Sequence, residues 1–175
     1  MRIIMAKRTD VKYQVEAGRS HPLGAVPDAD GVNFSIYAAE ATAVTLLLFD
    51  AHDSPQPIET IELDPWIHRR FQFWYVYVRG ATPGLHYAYR VDGPRDLTRC
   101  GHRYNPNKVL VDPYARGVTD TLWNRTRACD PDDNLDCSLR GAIIDIRAYD
   151  MMQAPLPRFA QDFSEKNIIG TFSFR

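Results

Sequence analysis

Between residues 31 and 92 apolar and polar side chains alternate with period two in several short runs. In Val32-Asn33-Phe34-Ser35-Ile36-Tyr37-Ala38, the residues Val32, Phe34 and Ile36 share one face and Asn33 and Ser35 the other, which predicts a half-buried strand. Val44-Thr45-Leu46-Leu47-Leu48-Phe49 is more continuously apolar, as a strand buried on both faces would be, and stops at Asp50. Residues 51–57 carry Asp53, Ser54 and two prolines and read as a turn. Residues 58–63 suit a short strand near an edge. In residues 71–78 Phe71, Phe73, Tyr75 and Tyr77 oppose Gln72, Trp74, Val76 and Val78, and the pattern leaves open which set faces the core. A turn between Gly80 and Gly84 leads to residues 85–91, where Leu85, Tyr87, Tyr89 and Val91 share a face, and Asp92-Gly93-Pro94 ends that run.

Strands recurring every 10 to 15 residues or so, with turn residues between them and no convincing helix, predict an all-β fold: an immunoglobulin-like antiparallel β-sandwich over about residues 20–120. The texture then changes. Residues 95–117 read as a long ordered loop around one apolar run, Val109-Leu110-Val111; residues 124–140 are polar and acidic, and 142–146 form another short apolar run. The expected organisation is an N-terminal arm (1–19), the sandwich (20–120), an irregular but ordered C-terminal extension (121–150), and a linker with the start of a second domain (151–175), whose strand-like run is 168–174.

Composition supports strands and turns over long helices, with 9 Tyr, 8 Phe and 3 Trp beside 12 Pro and 10 Gly. The formal charge of −1 argues against nucleic acid as a partner. No run approaches the roughly 20 apolar residues that cross a bilayer, so no membrane partner is expected. The Ile3-Ile4-Met5 patch is too short for a secretory h-region, which makes a cytoplasmic location the expectation. Cys100, Cys129 and Cys137 are odd in number and loosely spaced, indicating neither a disulfide framework nor a zinc site. Residues 130–136 alternate oxygen donors as a calcium loop does, but Leu135 stands where such a loop needs Gly and Gly141 where it needs a bidentate Glu. His68, His86 and His102 are scattered, and no triad, P-loop or dinucleotide motif appears. Neither metal nor cofactor is expected.

Four stretches together carry a resemblance. They are His21-Pro22-Leu23-Gly24-Ala25; Asp30-Gly31-Val32-Asn33-Phe34-Ser35; Tyr87-Ala88-Tyr89-Arg90-Val91-Asp92-Gly93-Pro94; and residues 101–115, from Gly101-His102-Arg103-Tyr104-Asn105-Pro106-Asn107-Lys108 to Asp112-Pro113-Tyr114-Ala115. In this order they resemble the N-terminal part of isoamylase-type glycogen debranching enzymes, over about residues 20–150. The resemblance implies an immunoglobulin-like carbohydrate-binding module of the glycogen- and starch-binding type, set before a (β/α)-barrel that hydrolyses α-1,6 branch linkages. It also implies two partners, the barrel itself and branched α-glucan such as glycogen, amylopectin or limit dextrin. No carboxylate here matches the family's catalytic motifs, and a barrel takes about 250 residues. This chain is therefore expected to end near the first barrel strand and to be inactive alone.

Sugars are held by flat aromatic faces packed on pyranose CH groups, with planar polar groups fixing the hydroxyls. Trp66, Trp74 and Tyr75 are the candidates, Trp66 because it sits in the turn-like Asp64-Pro65-Trp66-Ile67-His68. The competing reading is that such rings simply fill the core. Asn105, Asn107, Lys108, Asp112 and Tyr114 read better as an interdomain or structural motif, with prolines and asparagines fixing turns and Lys108 and Asp112 available for charge-assisted bonds across a domain junction. The alternative function is a domain-packing or protein-interaction sandwich without sugar affinity, since this fold hosts many functions.

Overall fold

Alternation with period two drives two apolar faces together. The computed structural model describes residues 13–96, 98 and 101–148. Cys100, most of the N-terminal arm and the expected linker and barrel start at 151–175 lie outside the described residues. The chain divides into two units, Met1–Asp145 and Ile146–Arg175; of the second, a 3-10 turn at Ile146–Ala148 is described.

In the first unit eleven strands are described: β1 (Gln14–Glu16), β2 (Gly24–Pro27), β3 (Gly31–Tyr37), β4 (Ala43–Phe49), β5 (Glu59–Glu62), β6 (Arg69–Arg70), β7 (Phe73–Arg79), β8 (His86–Asp92), β9 (Val109–Leu110), β10 (Gly117–Thr119) and β11 (Arg140–Ala142). A five-residue helix, α1 (Arg125–Cys129), is capped by the Asn124 side chain, which accepts from the Arg127 N–H. The first sheet runs β1-β7-β3-β2, with β6 beside β7; the second runs β10-β11-β8-β4-β5, with β9 beside β8. Every pairing is antiparallel. This is the expected immunoglobulin-like sandwich, although β1 and β11 lie outside residues 20–120 and still pair within its sheets.

The core lies between the sheets. Val32, Phe34 and Ile36 of β3 and Trp74, Val76 and Val78 of β7 meet Leu46, Leu48, Tyr87, Tyr89 and Val91 of the second sheet. Phe34 and Tyr87 touch edge to face across the gap, 5.2 Å between centroids, the arrangement aromatic quadrupoles favour. The phase of β7, open in the sequence, is thus settled with Trp74 inward.

Two expectations need correction. β3 is buried on both faces, because residues 18–20 lie across its outer side: Asn33 exchanges hydrogen bonds with the Arg19 backbone (2.7 and 2.9 Å), and the Ser35 hydroxyl donates to Ser20 O at 2.7 Å. Gly18 permits this approach, since a Cβ there would sit 2.6 Å from the Val76 carbonyl carbon. The expected strand at 142–146 is instead β11, three residues beginning at Arg140.

Candidate functional site

The turn that carries Trp66 is built by its neighbours. The Asp64 carboxylate accepts from the Trp66 N–H at 2.8 Å, the Asp64 carbonyl accepts from the His68 N–H at 2.7 Å, and the Asp64 N–H donates to His68 Nδ1 at 3.0 Å. His68 is buried while Trp66 is 93% exposed. Burial pushes the His68 imidazole below its ordinary pKa, against the opposing pull of Asp64. A neutral ring is what this geometry needs, because only an unprotonated Nδ1 accepts. The indole is thus presented to solvent on a backbone held at both ends.

β6 follows and turns sharply into β7. At that turn Phe71 has φ +56°, a left-handed backbone that costs a non-glycine residue about 1 to 2 kcal/mol. The conformation is held by Arg69, whose Nε donates to Phe71 O at 2.9 Å and whose Nη2 donates to Ala39 O at 3.2 Å. The Phe71 ring is 82% exposed and buries almost nothing in return. Beside it, the Tyr37 hydroxyl donates to Gln72 Oε1 at 2.7 Å. Phe73 is held between His21 and Tyr37, with centroids 4.9 and 5.5 Å away.

Of the three sugar-contact candidates, the structure separates Trp74 from the others. Trp74 is wholly buried, beneath the Arg69 guanidinium at 5.0 Å, so its faces are closed to a ligand. That corrects its candidacy, and the cause is the inward phase of β7. Tyr75 is half-buried on the outer face, its N–H donating to His68 O at 2.8 Å next to the Trp66 turn. Phe71 and Tyr37 are exposed at the same end of the sheet, and the sequence pattern does not single them out. Phe71 reads in sequence as one more alternating strand residue, and nothing local announces a positive φ.

The second sheet presents a different outer face. Leu47, Phe49, Ala88 and Val109 form a small apolar cluster covered by Leu135. Arg140, without any exposure, places its guanidinium 3.8 Å from the Phe49 ring centroid and donates to Ala51 O, His52 O and Ser54 O at 3.2, 3.1 and 2.6 Å. Asn134 accepts from the Val109 N–H at 2.7 Å and donates to Val109 O at 3.3 Å. The Arg90 Nη2 donates to both Asp133 oxygens at 2.9 Å.

The motif at residues 105–114 fastens this covering. Asn105 donates to Pro131 O and accepts from the Asn107 N–H, and Lys108 Nζ donates to Arg127 O at 2.8 Å. Asp112 is 2% exposed and accepts from the Tyr87 hydroxyl and the Tyr114 N–H, both at 2.8 Å. Burial pushes its carboxyl above the usual carboxylate range, against both hydrogen bonds. Lys108 and Asp112, expected to be available for bonds across a junction, are therefore engaged within the unit, whereas Tyr114 is 49% exposed. Asn105 and Lys108 also line a cavity of about 380 Å³ with His102, Tyr104 and Leu110. Among the described residues no cluster of His, Cys, Asp or Glu suited to a metal occurs, and no helix is long and apolar enough to cross a membrane.

Two antiparallel sheets, one face capped by the chain's own extension and one edge left aromatic, define an immunoglobulin-like β-module. Residues 22–115 match the family described as carbohydrate-binding module 48 (isoamylase N-terminal domain), and the chain belongs to that family. A glycogen debranching enzyme of Cronobacter sakazakii is 40% identical over 153 residues, covering 84% of this chain and 22% of that protein. One of Salmonella typhi is 41% identical over 109 residues, covering 62% and 16%. The chain thus spans about a fifth of the length of these curated relatives. Among solved structures, the Group B Streptococcus pullulanase SAP in complex with maltotetraose superposes with a TM-score of 0.52 at 21% identity, over 74% of this chain and 15% of that one. The Paenibacillus barengoltzii pullulanase in complex with maltohexaose and alpha-cyclodextrin gives 0.50 at 24%, over 75% and 16%. These superpositions support the fold.

Proposed function

We propose that this chain is the noncatalytic N-terminal module of an isoamylase-type glycogen debranching hydrolase, and that it binds or orients branched α-glucan (glycogen, amylopectin or limit dextrin) for a catalytic barrel. Family membership and the names of the debranching relatives support this reading. The observation that carries it is Trp66, a 93% exposed indole on a turn clamped by Asp64 and His68. Holding a flat ring in solvent on a fixed backbone lowers the ordering cost of stacking a sugar on it. Tyr75, half-buried beside that turn, is the second contact. The exposed Tyr114, whose backbone lies against Gly24 of β2 and which ends the 105–114 segment, is the surface this reading gives to the barrel. The free thiols of Cys129 and Cys137 suit a reducing compartment, so the reading includes a cytoplasmic location.

Native electrophoresis through gels containing glycogen or amylopectin tests this. The chain is expected to be retarded relative to a sugar-free gel, and Trp66→Ala to lose most of the retardation with an unchanged thermal midpoint. Migration of the wild-type chain that ignores both polymers would leave an interaction module without sugar affinity.

A further inference from the structure

We propose a second sugar platform, centred on Phe71 at the β6–β7 turn, that extends the Trp66 site so that one linear run of an α-glucan chain lies along both; the proposal rests on the glucan-binding reading above. Three observations meet there. Phe71 is 82% exposed, so packing does not account for it. Its φ of +56° is a conformation glycine adopts without strain, and Arg69 holds it there through Nε on Phe71 O. Strained backbone that serves no core contact points to a use at the surface.

The chemistry around the ring selects the occupant. Gln72, oriented by the Tyr37 hydroxyl at 2.7 Å, sits next to Phe71, and its amide N–H groups make no hydrogen bond among the described residues. Tyr37 is 48% exposed and leans on Phe73. Arg70, exposed, makes no ion pair among the described residues. Flat rings interleaved with amide, guanidinium and phenol groups match a polymer whose units offer a CH face and a rim of hydroxyls. A protein partner of the usual kind would meet a more continuous apolar centre, and a nucleic acid a basic stripe that a chain of net charge −1 does not supply. Trp66 precedes β6 and Phe71 follows it, so their backbones are at most about 18 Å apart, within the reach of one oligosaccharide.

The test uses the full 175-residue chain and two variants, Phe71→Gly and Phe71→Tyr, in glycogen gels with maltoheptaose as soluble competitor. Phe71→Gly removes the ring and relieves the backbone, so it is expected to fold at least as well as the wild type while binding about threefold to tenfold more weakly, the loss of one aromatic stacking contact. Phe71→Tyr keeps a flat face and is expected to bind as the wild type does. Wild-type retardation with Phe71→Gly unaffected would overturn the second platform and leave the Trp66 reading standing. An unretarded wild type would overturn both. If Phe71→Gly instead abolishes self-association seen by sedimentation and leaves retardation intact, the ring faces a second copy of the chain and the proposal is lost.

Discussion

On the outer face of the second sheet Leu47, Phe49, Ala88 and Val109 are covered by residues 134–140 of the same chain, whereas the β6–β7 end of the first sheet leaves Tyr37, Trp66 and Phe71 in solvent. Both regions began with more apolar surface than one core can take. In the first, β9, β11 and the turns around Asn134 are recruited to close the surface, and the Asn134 amide and the Arg140 Nη groups that close it are paired to backbone, while Arg140 Nε and the Ser138 hydroxyl stay buried without a partner among the described residues. In the second, the nearby hydrogen bonds fix the backbone beneath the rings and leave the rings open. Polar atoms used to bury a face make structure. The same atoms used to hold a backbone beneath exposed rings leave a face open.

The sharpest break in this comparison sets two tryptophans against each other. Trp74 fills the core and Trp66 touches almost nothing. Trp74→Ala is expected to cost about 3 to 5 kcal/mol, because it leaves a cavity between the sheets, and Trp66→Ala less than about 0.5 kcal/mol. Urea unfolding of the two variants beside the wild type measures both. Equal losses would mean that the Trp66 ring is packed and that the open edge is not open.

The covered face should fail next. Arg140→Met keeps much of the volume but leaves the carbonyls of His52 and Ser54 without their guanidinium donor, leaves Ala51 O only the long bond from the Ser54 N–H, and removes the cation from the Phe49 ring. A loss of about 3 kcal/mol is expected. Arg140→Lys should fall between, since an ammonium is a point donor and cannot hold three carbonyls in the guanidinium's planar fork. Stability of Arg140→Met equal to the wild type would show that the extension is an ornament on the sheet rather than its cover.

Much of this division was readable in the sequence, and the failures have identifiable causes. β3, β4 and β8 were legible because each carries three or more apolar residues in strict alternation or in a continuous run. β1 was not, because all three of its residues are exposed on an edge and no face of it points inward. β6 is two arginines, a strand only because β7 lies beside it. The phase of β7 was undecidable because both of its faces are apolar; what decides it is the other sheet, against which Trp74, Val76 and Val78 pack. Asp64 and Pro65 mark a turn at Trp66 but leave core filling open for its ring; what puts it outside is the Asp64–His68 clamp. Arg140 could not be placed inside, since its partners are the backbone carbonyls of residues some 86 to 89 positions away. The motif at 105–114 was recognisable as a pattern, yet the role of Asp112 depended on Tyr87, which no local reading connects to it.

The smallest effect tests how firmly the open edge is held. His68 accepts the Asp64 N–H at Nδ1, and burial keeps its folded-state pKa below the ordinary value. Between that folded value and the unfolded value of about 6.5 the unfolded chain binds more protons, so this contribution to stability is complete above about 6.5 and is lost as pH falls through the folded value. His86, also lowered by burial and by the neighbouring His52 and Arg140, adds a dependence of the same sign from the covered face. The contribution of His68 is therefore read as a difference. His68→Asn retains an oxygen acceptor near Nδ1 but does not titrate, and its urea midpoint should fall less than that of the wild type between about pH 7.5 and about pH 5.5. Retardation by glycogen should follow the same order, the wild type weakening in acid and His68→Asn holding, because the clamp beneath Trp66 opens only when the imidazole takes a proton. A wild-type chain whose retardation is constant over that range while its midpoint falls would place the acid-sensitive contact on the covered face, at His86, and leave the Trp66 turn independent of its histidine.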